Sequence, residues 1–377
     1  MRLVALPLAL ALALAACSSD GDGDPDRAER TRTPESPATT ARPSPTDETS
    51  SAAPTNRRPK VVDTIATGLE APWGLDFLPN GTAVVTERDS RRVLTVSGGD
   101  VTEVGTIDEA APTGEAGLLG VAVSPTYDRD RLLYFYATTT GDNRIVRAEL
   151  TGGRLGPTED VLTGIPNGSI HDGGRLEFGP DGFLYASTGE TGDTDLSQDK
   201  GSLGGKILRI TPDGDPALGN PDPGSPVFSL GHRNVQGLAF DDGGQLWASE
   251  FGAQTFDELN RIEKGGNYGW PVFEGDGGAP DYTDPQVVWR TSEASPSGLA
   301  YADGHLWMAS LRGERLWRVA VDGNKATQPT DFFVGDYGRI RTVEVAPDGN
   351  LWVTTSNRDG RGDPAGDDDR ILVVRPS

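Results

Sequence analysis

Cysteine, histidine and methionine are almost absent from this chain of 377 residues, which has one Cys, three His and two Met. The single cysteine, Cys17, excludes an intrachain disulfide and any cysteine-rich metal cluster. Cationic residues are also scarce: 34 Lys and Arg stand against 57 Asp and Glu, a net charge of -23. That balance excludes a nucleic-acid partner, because phosphate binding draws on a basic surface. It still admits an anionic ligand where cations are gathered locally. No stretch repeats its apolar residues with a convincing 3.6-residue period, so a βαβ fold with helical crossovers is excluded too. What the chain does have is 50 Gly and 28 Pro. Most glycines separate short apolar runs, the pattern of an all-β chain rich in tight turns.

The N-terminal segment reads differently. Met1-Arg2 supplies a short positive start, and residues 3–16 form an apolar run too short for a typical membrane span. The run ends in Leu14-Ala15-Ala16-Cys17. This order resembles a bacterial lipoprotein leader, so residues 1–16 are expected to be removed and Cys17 to carry the lipid. Two or three acyl chains on one residue give stable anchoring, which predicts an extracytoplasmic protein held at the membrane by lipid alone. Residues 17–60 are rich in Ser, Thr, Pro, Asp, Glu and Arg and lack large apolar side chains. They are expected to form an extended, unfolded tether, because they bury too little surface to offset their ordering entropy.

Residues 61–377 repeat themselves. The unit is an apolar strand, a Pro-Asp-Gly-like turn, a second strand, and a further strand after a variable loop. It starts near Trp73, Gly117, Gly174, Gln236, Ser297 and Arg341. Asn-Gly and Asp-Gly turns between β-branched and aromatic runs are hairpin signals. Six such units at a period of about 45–60 residues predict a six-bladed β-propeller with four-stranded antiparallel blades. Residues that open the innermost strands, and the loops between blades, are then the candidates for function.

Three constellations stand out there. His171 and His232 precede the third and fourth inner strands, while His305 falls in a turn. Either of the first two could be a base or a satisfied structural histidine. Glu190 closes the hairpin that His171 opens, so the return strand should bring its carboxylate to the imidazole and raise its basicity. Arg233, Arg312, Arg339 and Arg341 fall at blade starts or inter-blade loops. Converging on the channel mouth they would suit a ligand with several carboxylates or phosphates; individually, each could instead pair with a blade aspartate. Finally, residues 250–258 and 264–271 form glycine-rich loops with Asp257 and Glu258, and exposed carbonyls beside carboxylates are hard ligands suited to calcium. The Asp-rich segment 361–370 reads as a solvated hairpin loop.

Together the motifs His171-x-x-Gly-Arg-Leu, Gly231-His-Arg-Asn-x-Gln-Gly, Asp257-Glu-Leu-Asn and Gly265-Gly-Asn-Tyr-Gly-Trp-Pro271 resemble the soluble PQQ-dependent glucose/aldose sugar dehydrogenases, the glucose/sorbosone dehydrogenase family. The resemblance covers roughly residues 61 to 375. It implies oxidation of aldose sugars at the anomeric carbon to lactones, with PQQ and Ca²⁺ as cofactors and an electron acceptor that remains unspecified. It implies His171 as the general base, Glu190 in the place of the family's aspartate, and Arg233 and Asn234 as cofactor and substrate contacts. Arg339 and Arg341 match the Arg-x-Arg pair facing PQQ, and Arg312 stands where some members have lysine. The carbonyls of Gly252 and Ala253 match those that bind the calcium ligating PQQ. Asp257 is implied in a neighbouring calcium site, and Glu258 with the Tyr268 carbonyl in a structural one.

Three positions depart from the pattern. Glu115 replaces a glutamine that contacts the cofactor, and a carboxylate there repels an anion unless it is paired or protonated. Ala253 replaces proline, and Arg312 keeps the lysine's charge but changes its shape. Two other readings of the propeller remain open at this stage. One is a non-catalytic surface protein binding carbohydrate or protein; the other is a calcium-dependent lactonase-like hydrolase.

Overall fold

A computed structural model describes residues 58–376. The expected leader, Cys17 and the tether up to residue 57 lie outside the described residues. Within them, six antiparallel sheets form the six blades of a propeller. Counted from the first complete sheet, the inner strands are Pro72–Phe77, Leu118–Val123, Leu176–Phe178, Val235–Phe240, Pro296–Ala302 and Ile340–Val345. The second blade carries one extra short strand, Arg154–Leu155.

The blades hold together through six apolar clusters, one between each pair of neighbours. Strand alternation explains the arrangement: in Leu246–Glu250, Leu246 and Ala248 face the third blade while Trp247 faces the fifth. Both faces are covered, so these strands read as continuous apolar runs. Trp247 and Trp307 are almost fully buried in such interfaces. Each large side chain removed from water contributes about 1.5–3 kcal/mol.

The outer strands are where the sequence reading fell short. The fourth strand of blade one, Asp100–Thr106, is mostly exposed and polar, and so is Lys325–Phe332 in blade five. The sixth blade takes its outer strand from the other end of the chain, as Lys60–Ala66 pairs with Ile371–Arg375. The expected tether therefore stops short of residue 60, which already belongs to a strand. Most of the segment 361–370 is exposed, as the sequence suggested, but its end is not. Asp368 and Asp369 are buried, and Asp369 accepts from the backbone N–H groups of Ala71, Asn357 and Arg358. Backbone donors enclosed at the ring closure need acceptors, and these aspartates supply them.

Candidate active site

The inner strands begin at one end of the channel, and the loops around that end hold the polar residues. His171 sits in the left-handed region at φ 56°, a conformation that costs a non-glycine residue about 1–3 kcal/mol. Four contacts hold it there. Its N–H donates to Glu115 Oε2 at 3.0 Å, and its carbonyl accepts from Thr191 N–H. Its Nδ1 meets Glu190 Oε1, and Arg233 Nη2 lies 3.0 Å from its Nε2. A guanidinium can only donate, so the contact with Arg233 assigns Nε2 as its acceptor and Nδ1–H to the carboxylate. The His171 side chain keeps 15% exposure while that of Glu190 keeps 2%. Gly189 makes this approach possible: a Cβ there would stand 1.8 Å from the His171 carbonyl oxygen. Asn234 is buried and receives the Gly173 N–H, which fixes the loop just after His171.

His232 has a different place. Its side chain is fully enclosed, stacked on Tyr268 at 4.6 Å, and bonded to Ser229 Oγ and Glu250 Oε2 at 2.8 Å each. A Ser–His–Glu line of this kind suggests a hydrolase, but Ser229 and His232 are both at 0% exposure. No substrate reaches it. Its effect is on Arg233, whose backbone N–H donates to Glu250 Oε1.

Beside His171, a cavity of about 160 Å³ is lined by Arg88, Arg312, Arg339, Arg341, Arg361, Glu115, Asp359, Gln236 and apolar neighbours. Five arginines against two carboxylates, in a protein of net charge -23, make this a local anion site. Arg341 sits in a register irregularity between Ile340 and Thr342 of the sixth inner strand, Arg339 just before that strand, and both reach Asp359 Oδ2. Arg341 also donates to Gln236 Oε1 at 2.9 Å, while its Nε is buried without a partner. Burial, with Arg88 and Arg339 nearby and only partly offset by Asp359, pulls the Arg341 guanidinium down to about 9. Arg312 is exposed at the rim. Glu115 is paired: Arg361 Nη1 lies 2.6 Å from its Oε1. Burial pushes its carboxyl up, but the His171 N–H and the Arg361 guanidinium outweigh that and hold it below the usual carboxylate range.

Below the cavity, Arg175 of the third blade crosses the axis. It donates to the Gln236 carbonyl of the fourth blade and to Thr342 Oγ1 of the sixth. Its guanidinium lies 4.4 Å from the Trp73 ring of the first blade, a cation–π contact. Farther along the same strands lie the carboxyls of Asp76, Glu177 and Glu344, where burial and then Asp76 raise Glu344, and burial with both of these neighbours raises Glu177.

The loop after Glu250 carries the predicted calcium residues. Glu274 Oε1 accepts four successive backbone N–H groups, from Ala253 to Phe256, at 2.8–3.2 Å. The loop is closed so tightly that a Cβ at Gly252 would stand 1.7 Å from the Phe256 carbonyl oxygen. Asp257 and Glu258 lie in the strand Phe256–Arg261, not in the loop that the sequence suggested, and alternation turns them to opposite sides. Asp257 accepts from Gly252 and Ser295 N–H, Glu258 from Gly275 N–H and Asn260. Burial pushes Asp257 to about 6; burial and neighbouring Glu250 push Glu258 to about 8. Tyr268 presents its ring to His232 and its hydroxyl to the Arg261 carbonyl. Among the described residues no three His, Cys, Asp or Glu side chains gather closely enough to hold an ion. A cation in this loop would therefore rest on carbonyls as well.

The structure thus brings His171, Glu190, Arg233 and Glu115 together, and Arg312, Arg339 and Arg341 around one cavity. Sequence reasoning missed Arg88, Gln236, Asp359 and Arg361. Gln236 had a signal, since it directly opens an inner strand; the other three come from loops with no repeat to mark them.

Fold and site define a six-bladed propeller with an arginine-lined axial pocket next to a carboxylate-held imidazole. The chain belongs to the glucose/sorbosone dehydrogenase family, which residues 69–371 match, and is an oxidoreductase of that family. It is similar to the PQQ-bound aldose sugar dehydrogenase of Streptomyces coelicolor, with 56% identity and a TM-score of 0.82 over 84% of this chain and 97% of that one. It is 27% identical to aldose sugar dehydrogenase YliI of Escherichia coli over 79% of this chain and 91% of that protein. It is 32% identical to quinoprotein glucose dehydrogenase B of Acinetobacter calcoaceticus, over 56% and 52% of the respective chains.

Proposed function

We propose that this protein oxidises aldose sugars at the anomeric carbon to lactones, using PQQ and calcium. The observation that carries the reading is the Glu190-held imidazole of His171 beside a cavity with five arginines. The pocket fits a tricarboxylate: its arginines outnumber its carboxylates, and Arg341 Nε is buried with no acceptor. Arg312, Arg339 and Arg341 would hold the carboxylates, with Gln236 close by. The carbonyls of Gly252 and Ala253 would hold calcium. When bound, PQQ would supply an electrophilic quinone as the acceptor for the sugar's C1 hydride.

The residues of the chain manage the proton. His171 Nε2 takes it from the anomeric hydroxyl, so C1 loses a hydride and O1 a proton, leaving the lactone. Glu190 keeps Nδ1 protonated and stabilises the imidazolium that forms. Arg233 now occupies Nε2 and must yield that position to the hydroxyl, remaining beside the oxygen as its charge changes. An acceptor outside the chain completes the turnover. The expected lipid on Cys17 would place this chemistry outside the cytoplasm.

The test is reconstitution of the purified protein with PQQ and Ca²⁺, followed by dye reduction across a panel of aldoses and lactone detection. Reduction that requires both additions is expected. Failure with every aldose, while PQQ is bound, would leave the chain as a binding protein and end this reading.

A further inference from the structure

Glu115 is a carboxylate on the wall of an anion pocket, and its position is fixed from three sides. Its backbone N–H donates to the Ser169 carbonyl, and its Oε2 accepts the His171 N–H at 3.0 Å. Its Oε1 takes Arg361 Nη1 at 2.6 Å, across 246 residues of sequence, from the loop of the sixth blade to the approach of the second. The Arg361 loop is itself anchored. Its N–H donates to Asp359 Oδ1, while Asp359 Oδ2 holds Arg339 and Arg341. Gly362 lets the loop lie against the site, since a Cβ there would meet the Asn357 carbonyl oxygen at 2.8 Å and Arg339 Cδ at 2.9 Å. One short turn therefore delivers both the carboxylate that aligns the arginine pair and the cation that meets Glu115.

We infer that Arg361 is a positioning residue for the anionic cofactor: it neutralises Glu115, so that the pocket wall nearest His171 does not repel a carboxylated ligand. This rests on the reading of the pocket as a PQQ site. An exposed ion pair adds little to stability, and the Arg361 side chain is 56% exposed. The pair's consequence lies instead in the charge that the pocket shows. Without Arg361, Glu115 keeps its His171 hydrogen bond but faces the cavity as an uncompensated anion, at reduced dielectric.

The charge argument makes a signed double-variant prediction, read by equilibrium binding rather than turnover. The full-length protein is titrated with PQQ at saturating Ca²⁺, following tryptophan fluorescence, as wild type, R361Q, E115Q and E115Q/R361Q. R361Q should weaken binding at least about tenfold, with an unchanged thermal midpoint. E115Q should bind PQQ more tightly than wild type, because the wall loses its anion while Arg361 remains. The double variant should recover to within about threefold of wild type, because the anion that Arg361 masks is gone. An R361Q loss that persists in the double variant, or no loss in R361Q, overturns the inference while leaving the PQQ reading intact. Absence of PQQ binding by the wild type overturns both.

Discussion

Glu190 and His171, nineteen residues apart, meet carboxylate to imidazole because the third blade's first hairpin folds one back on the other. Leu176–Phe178 and Leu184–Ser187 pair with Leu176 opposite Ala186, so the residues just outside the ladder come together at its open end. The contact is a product of strand register, and Gly189 keeps its space free.

If that contact sets up the base, His171→Ala should lower kcat by about 10²–10⁴-fold with KM for the sugar little changed. Glu190→Gln should cost about a hundredfold or more, since the ring loses the carboxylate that fixes its tautomer and stabilises its charge. Steady-state kinetics of the reconstituted enzyme, with circular dichroism as the folding control, decide the matter. Wild-type kcat in His171→Ala would remove the histidine from the mechanism.

Glu274 gathers the amides of residues 253–256 and so fixes the loop that carries the Gly252 and Ala253 carbonyls. Glu274→Ala should therefore weaken calcium binding about tenfold or more, measured by calorimetric titration of the chelator-treated protein. Adding EDTA to the wild type should likewise weaken PQQ binding. A Glu274→Ala protein with unaltered calcium affinity would show that the loop holds its shape by other means.

The three axial carboxyls predict a stability that falls with rising pH. Burial raises Asp76 to about 6; burial with Asp76 nearby raises Glu344 to about 8, and burial with Glu344 and Asp76 nearby pushes Glu177 well above the ordinary glutamate value. Unfolded carboxyls titrate near pH ~4. Between about 4 and 8 the folded state binds more protons than the unfolded state, so these groups' stabilising contribution is full in acid and lost as pH rises. Arg175, on the same strands, offsets part of the repulsion. Glu344→Gln should raise the melting temperature at pH 8 by at least about 2 °C and leave it nearly unchanged at pH 4. An equal shift at both pH values would mean that packing, not charge, is responsible.

The sequence revealed the inner half of each blade and left the outer half obscure, for a physical reason. Strands such as Leu246–Glu250 are buried on both faces and carry a strong apolar signal. Asp100–Thr106 and Lys325–Phe332 pair along one edge only and stay wet, so their side chains are those of a loop. The same division runs through the site. His171, Glu190, Arg233, Arg339 and Arg341 lie beside repeat strands, where register could be read. Asp359 and Arg361 come from a loop whose acidity suggested solvent, although its aspartates satisfy enclosed amides at the ring closure. Asp257 and Glu258 were misplaced because the polar residues of that strand hid its start at Phe256.

Arg175 bears on traffic through the molecule. By spanning the axis from the third blade to the fourth and sixth, it sets a buried guanidinium across the channel. On the proposed reading, lactone and acceptor would both use the opening beside Arg312 and Arg361, so the two half-reactions would take turns there.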